Sequence, residues 1–202
     1  MSCVRGLNGQ SDGSIEEDTL NKMQAYSNLV RRLVKAFEAS GLDYAFTGAI
    51  AASFYGLPRT TTDVDLMVQV SDKLGKSRLV RTLARAGMRA DEKEIDRALA
   101  SGYRIVTFGD RKTAYSTDII ISNEKLQKRV GTVTGIQTFF QTPEDLILAK
   151  LRMIKATVPK ERALKDKEDI RAILRFTVVD VEVIKKRAKK DTTLSIFEVL
   201  TA

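Results

Sequence analysis

Three aspartates offer the clearest chemistry in this sequence. Asp63 and Asp65 sit one residue apart where a strand-like run over 64–70 begins. In an extended strand alternate side chains share a face, so the two carboxylates point one way while Val64, Leu66 and Val68 point into a core. Like charges held that close repel, and a divalent cation relieves the repulsion by taking oxygen ligands from both. Asp118 interrupts a second β-rich run, 115–121, where an acid beside Ile119, Ile120 and Ile121 is costly if buried without a partner. If the two strands are neighbours, three carboxylates meet, enough to hold two ions for in-line displacement at phosphorus. The bland alternatives are a solvated strand edge for the pair and a capping or edge position for Asp118.

Phosphate-binding groups precede the acids. Gly48 and Ala49 fall where a short strand passes into a small-residue helix, so backbone amides there can approach phosphate oxygens. Arg59 and the hydroxyls of Thr60, Thr61 and Thr62 lie between that turn and Asp63. They supply a fixed positive charge and several donors, with Arg59 serving either a phosphate or a carboxylate partner.

Composition narrows the chemistry further. The chain has no histidine and a single cysteine, Cys3. This excludes an intrachain disulfide framework, the usual thiolate and imidazole zinc sites, and any nucleophile activated by histidine from this chain. Hard oxygen ligands remain, and these favour Mg2+ or Mn2+. The formal charge is +8. Residues 150–190 hold fourteen Lys and Arg against six Asp and Glu, so this tract equals the whole excess. It is either a docking face for a polyanion or a solvated helical surface. No apolar run is long enough to span a bilayer, and the first residues are polar, so a cytoplasmic protein without a membrane partner is the expectation.

The elements that must position these groups read as a mixed sheet followed by helices, an α+β class. Residues 1–13 form a loose tail, 14–142 a core and 143–202 a helical region. Ser14 with Glu17 makes a capping-box pattern for a helix that Gly41 closes. A strand at 44–47, a helix ending near Gly56, a strand at 64–70 and a helix at 72–86 follow. Asp91 caps a short helix, and 103–108 with 115–121 form a hairpin. One further strand at 132–140 precedes a helix opened by Pro143, and helices at about 160–175, 181–189 and 193–200 complete the chain. Arg78, Arg81 and Arg85 share one helical face, which either tracks a nucleic-acid backbone or is simply solvated, and Tyr55 belongs to the core.

The string FTGAIAASFYGLPRTTTDVDLMV, residues 46–68, resembles the signature of the nucleotidyltransferase superfamily that includes DNA polymerase beta. The usual form is Gly, then Gly or Ser, a spacer, and two acids one residue apart. Here Gly48-Ala49 is followed by thirteen residues and then Asp63-Val64-Asp65, and Ala49 departs from the pattern. STDIII around Asp118 is similar to the family's third-carboxylate strand, and PEDLILAKL with LKDKEDI is similar to abortive-infection and toxin-type members.

That resemblance implies a nucleotidyltransferase-like mixed sheet flanked by helices. It also implies Asp63, Asp65 and Asp118 as catalytic metal ligands for Mg2+ or Mn2+, and Gly48, Ala49, Arg59, Thr62 and Lys150 as nucleotide-binding residues. Asp166 and Asp169, three apart on a helix, would be additional site residues, unless they merely pair with Lys165 or Lys167. The implied reaction moves a nucleoside monophosphate from a nucleoside triphosphate such as ATP to an acceptor hydroxyl, on RNA, tRNA or protein. The departure at Ala49 motivates the rivals: a catalytically silent module on the same fold, or an antitoxin-like partner.

Overall fold

Alternating burial along two neighbouring strands sets the architecture. The computed structural model describes residues 12–102 and 104–201. In order, the elements are α1 (Asp12–Glu38), β1 (Tyr44–Phe46), α2 (Gly48–Tyr55), β2 (Asp63–Gln69), α3 (Lys73–Ala86), α4 (Glu92–Ala100), β3 (Ile105–Gly109), β4 (Ser116–Ser122), β5 (Lys128–Val133) and β6 (Ile136–Gln141). The helices α5 (Pro143–Ala156), α6 (Leu164–Phe176), α7 (Val181–Lys190) and α8 (Leu194–Thr201) follow, with a 3-10 turn, Lys160–Ala163, before α6. The class is α+β, as expected.

The sheet has six strands in the order β3-β4-β2-β1-β6-β5. β2 runs parallel to β4, and β1 parallel to β6, while the other three neighbouring pairs are antiparallel. On β2 and β4 every second residue is buried. Val64, Leu66, Val68, Ile119 and Ile121 join a core with Leu29, Leu33 and Phe37 of α1 and Leu79 and Leu83 of α3. The opposite face of these two strands carries Asp63, Asp65 and Asp118 and stays half open. The helical region is continuous with this core, since Leu146, Ile147, Leu151, Ile170, Ile184 and Phe197 belong to the same buried cluster. No helix among the described residues is long and apolar enough to cross a membrane.

Caps behave as their chemistry requires. Asp72 accepts the N–H of Gly75, Asp91 that of Lys93, Thr142 that of Asp145 and Asp180 that of Val183. Gly87 ends α3 at φ 90°, a left-handed geometry that glycine adopts without strain.

Two expectations need correction, and part of two others falls outside the described residues. α1 already contains Asp12 and Gly13, so Ser14 lies within the helix and not before it, where the capping-box pattern had put it. Residues 1–11 of the expected tail lie outside the described residues, as does Tyr103, the expected start of β3. The single strand at 132–140 is really a hairpin, β5 and β6, turning at Thr134 and Gly135 with φ 48° and 77°. Two successive positive φ values make the primed turn that joins paired strands, and a Thr-Gly pair signals it more weakly than Asn-Gly.

Candidate active site

Strand register brings the acids together. β2 and β4 pair so that Asp65 lies opposite Asp118 and Asp63 opposite Ser116. Because all three aspartates occupy the outward positions of adjacent strands, they share one face. Asp63 accepts hydrogen bonds from Ser116 Oγ at 2.6 Å and from Thr62 Oγ1 at 3.2 Å. Asp118 accepts one from Thr107 Oγ1 at 2.6 Å. Tyr26 Oη donates to the Asp63 carbonyl at 3.3 Å.

Asp65 is the electrostatic centre of the group. Burial pushes its carboxyl above the ordinary carboxylate value, and the neighbouring Asp118 and Asp63 push the same way. The backbone N–H of Ala49 and the charge of Lys150 oppose the rise without cancelling it. Crowding of this kind is what a cation relieves. Gly48, at φ 55°, lets the chain turn against this carboxylate; a Cβ there would lie 2.5 Å from Asp65 Cγ. Thr47, the residue before the helix, spends its hydroxyl on Gln141 Oε1 in the buried interior, so the first amides of α2 face the acids without a side-chain cap.

Oxygen donors alone line this face, a set that suits Mg2+ or Mn2+. Among the described residues no three acids already surround one point in the manner of a finished metal cage. The repulsion at Asp65 and the hard donor set nevertheless fit a divalent ion, which would neutralise the crowded charge there.

A second ionic group joins the helical region to the loop before β2. Lys150 is buried on α5, with Nζ 2.9 Å from Asp166 and 2.7 Å from Asp169. Asp169 also receives Arg59 through Nε at 3.0 Å and Nη2 at 3.1 Å. Arg59, Lys150, Asp166 and Asp169 are thus one cluster, and Arg59 has the carboxylate partner that was its alternative reading. Asp166 and Asp169 reach inward to Lys150 rather than along the helix to Lys165 or Lys167. Thr62 is exposed and turned to Asp63.

Two cavities open nearby, neither lined by the three aspartates themselves. One of about 600 Å3 opens beside the loop carrying Arg59 and Thr62 and is walled by Tyr26, Phe54, Tyr115 and Phe140. Another, of about 400 Å3, lies further along the sheet, against Met67, Ser122, Asp145, Arg152 and Arg187. Sequence reasoning missed Tyr26, Thr107 and Ser116. Ser116 was within reach, since it stands two residues before Asp118 on the same side of a strand; Thr107 and Tyr26 needed the tertiary pairing.

No protein-family model matches the chain, and no curated protein is significantly similar to it in sequence. Solved structures do resemble it. The solution structure of the antibiotic-resistance factor ANT(2'')-Ia superposes with a TM-score of 0.60 at 14% identity, covering 87% of this chain and 96% of that one. A crystal structure of ANT(2'')-Ia in complex with adenylyl-2''-tobramycin gives 0.57 at 12% identity, covering 88% and 99%. An antigenic nucleotidyltransferase-like protein from Paracoccidioides brasiliensis gives 0.53 at 15% identity, covering 84% and 92%. With the sheet order and the acid-bearing face described above, the chain has the nucleotidyltransferase fold.

Proposed function

We propose that this protein is a metal-dependent nucleotidyltransferase, moving a nucleoside monophosphate from a nucleoside triphosphate to an acceptor hydroxyl with release of pyrophosphate. The observation that carries this reading is the β2–β4 register, which puts Asp65 opposite Asp118 with Asp63 on the same face, beside the Gly48 turn. Asp63, Asp65 and Asp118 would hold Mg2+ or Mn2+. Such ions supply charge neutralisation on the triphosphate and alignment of the acceptor with the α-phosphorus.

The chain's own groups then have definable tasks. The amides at Gly48 and Ala49 receive phosphate oxygens. Lys150, close enough to Asp65 to act on its charge, adds a fixed cation beside the phosphates, held in place by Asp166 and Asp169. Arg59 and Thr62 line the loop next to them. Asp118 takes the proton of the attacking hydroxyl. Tyr26, Phe54 and Tyr115 offer aromatic walls for a base in the adjoining cavity. Positioning and charge neutralisation do most of the work in phosphoryl-type transfer, so a site without histidine suffices.

ANT(2'')-Ia, one of the structures it resembles, has been seen with adenylyl-2''-tobramycin, a product of the general type this reading expects. For the present chain the acceptor would be an RNA end such as that of tRNA, or a protein hydroxyl, the basic stretch 150–190 favouring a polyanion. We further assign residues 14–142 to the catalytic core and 143–202 to the helical region that follows it.

A second reading, a silent module or antitoxin-like partner, is favoured by one feature: Ala49 stands where the resembled pattern has a glycine or serine. The two are separated by incubating the purified protein with Mg2+, each labelled triphosphate, and tRNA or bulk protein, beside Asp63→Asn and Asp65→Asn. Label transferred by the wild type alone supports the enzyme. Equal inactivity of all three, with no metal bound in titration calorimetry, overturns it.

A further inference from the structure

We propose that Ser116 and Thr107 are positioning residues for the metal-binding acids, each tying one carboxylate oxygen and thereby setting the direction of the other. The inference rests on the metal-dependent reading above and goes past it, since neither residue belongs to the glycine-and-acid pattern.

The sheet itself supplies both hydroxyls. Ser116 on β4 lies opposite Asp63 on β2, and Thr107 on β3 lies opposite Asp118 on β4. Each donates to the Oδ1 of its acid at 2.6 Å, the short distance of a hydroxyl bonded to an ionised carboxylate. Asp65 has no such hydroxyl donor among the described residues. Asp63 and Asp118 thus each have a hydroxyl-tethered Oδ1, and Asp63 Oδ2 takes a longer bond of 3.2 Å from Thr62. For Asp118 the other, Oδ2, has no hydrogen-bond partner among the described residues.

Thr107 makes the case most cleanly. Its neighbours Val106 and Phe108 are buried in the core, while Thr107 is exposed on the opposite face. Its side chain therefore adds nothing to core packing, and a β-branched apolar residue would suit the strand as well. What the hydroxyl adds is a fixed pivot. A carboxylate free at both oxygens samples several rotamers, and binding an ion must freeze them; a tethered one has lost that freedom on folding. Outer partners of metal ligands commonly account for about 10-fold to 100-fold in affinity.

The test measures Mn2+ binding, without nucleotide or acceptor, by electron paramagnetic resonance of the free ion, on the wild type, Thr107→Val, Thr107→Ser, Ser116→Ala and Ser116→Thr. Expected is weakening of about 10-fold or more for Thr107→Val and Ser116→Ala, at unchanged melting temperature, with Thr107→Ser and Ser116→Thr close to the wild type. Mn2+ affinity within twofold of the wild type for Thr107→Val and Ser116→Ala overturns the inference while leaving the metal site standing. Wild-type binding no tighter than that of Asp65→Asn overturns the functional reading itself, and this inference with it.

Discussion

Gly48→Ala concentrates the site's geometry into one methyl group. At φ 55° the residue is left-handed, which costs an alanine about 1–2 kcal/mol. The added Cβ would also lie 2.5 Å from Asp65 Cγ. Carbon atoms approach to about 3.5 Å, so the carboxylate must retreat by about 1 Å, at a further overpacking cost of about 1–2 kcal/mol. The sum, about 3 kcal/mol, lowers the melting temperature by about 9 °C in a domain of this size. A misplacement of about 1 Å in a reacting site costs on the order of 100-fold in rate, and Mn2+ affinity should fall with it. Gly41→Ala is the matched control: φ is 67°, yet nothing lies within 4 Å of the added methyl. It should lose only the backbone strain, about 3–6 °C, and bind Mn2+ as the wild type does. The measurements are calorimetric melting and Mn2+ titration on both variants. If Gly48→Ala melts with Gly41→Ala and binds Mn2+ normally, Asp65 does not depend on the glycine and the reasoning fails.

Three further outcomes follow from the electrostatics. Asp65→Asn should raise the melting temperature of the metal-free protein at neutral pH while abolishing transfer. A carboxyl raised by burial and by Asp118 stabilises the fold fully only below its unfolded value near 4, and that contribution fades as pH rises, so the gain should vanish in acid; a variant no more stable at pH 7 contradicts this. Asp110→Asn should act oppositely. Burial pushes the Asp110 carboxyl up, but hydrogen bonds from Thr113 and Arg32 outweigh it and hold it below the usual range. Its contribution, about 2 kcal/mol, is therefore present above a pH of about 4 and lost as pH falls through the lowered value, which urea unfolding from pH 7 down to about 3 would check. Asp169→Ala leaves Lys150 with Asp166 alone and frees Arg59; it should cost about 3 kcal/mol by urea unfolding and loosen triphosphate binding, and a loss under about 1 kcal/mol would show that the cluster is not structural.

Much of the site was legible because it is local. Alternation along β2 put Asp63 and Asp65 on one face and Val64, Leu66 and Val68 on the other, and the structure has them so. The strand-to-helix turn at Gly48 and the helix starts at Asp72, Asp91 and Thr142 follow from side-chain chemistry within a few residues. The β5–β6 hairpin was not legible, because a Thr-Gly turn carries a weak signal and β5 lies at the sheet edge. Arg59 shows the opposite limit: a guanidinium suits phosphate and carboxylate equally, and only the packing of α6 against α2 supplied Asp169.

The sequence by itself determined the kinds of group available: carboxylates without histidine, a glycine before them, a lysine and two acids on later helices. Only the tertiary structure decided that Asp118 stands opposite Asp65, that Ser116 and Thr107 hold the acids, and that Lys150 and Arg59 meet at Asp169. The reason is physical. Side-chain periodicity is fixed by backbone geometry over a few residues, whereas strand register and helix docking are set by burial of apolar surface summed over the whole chain.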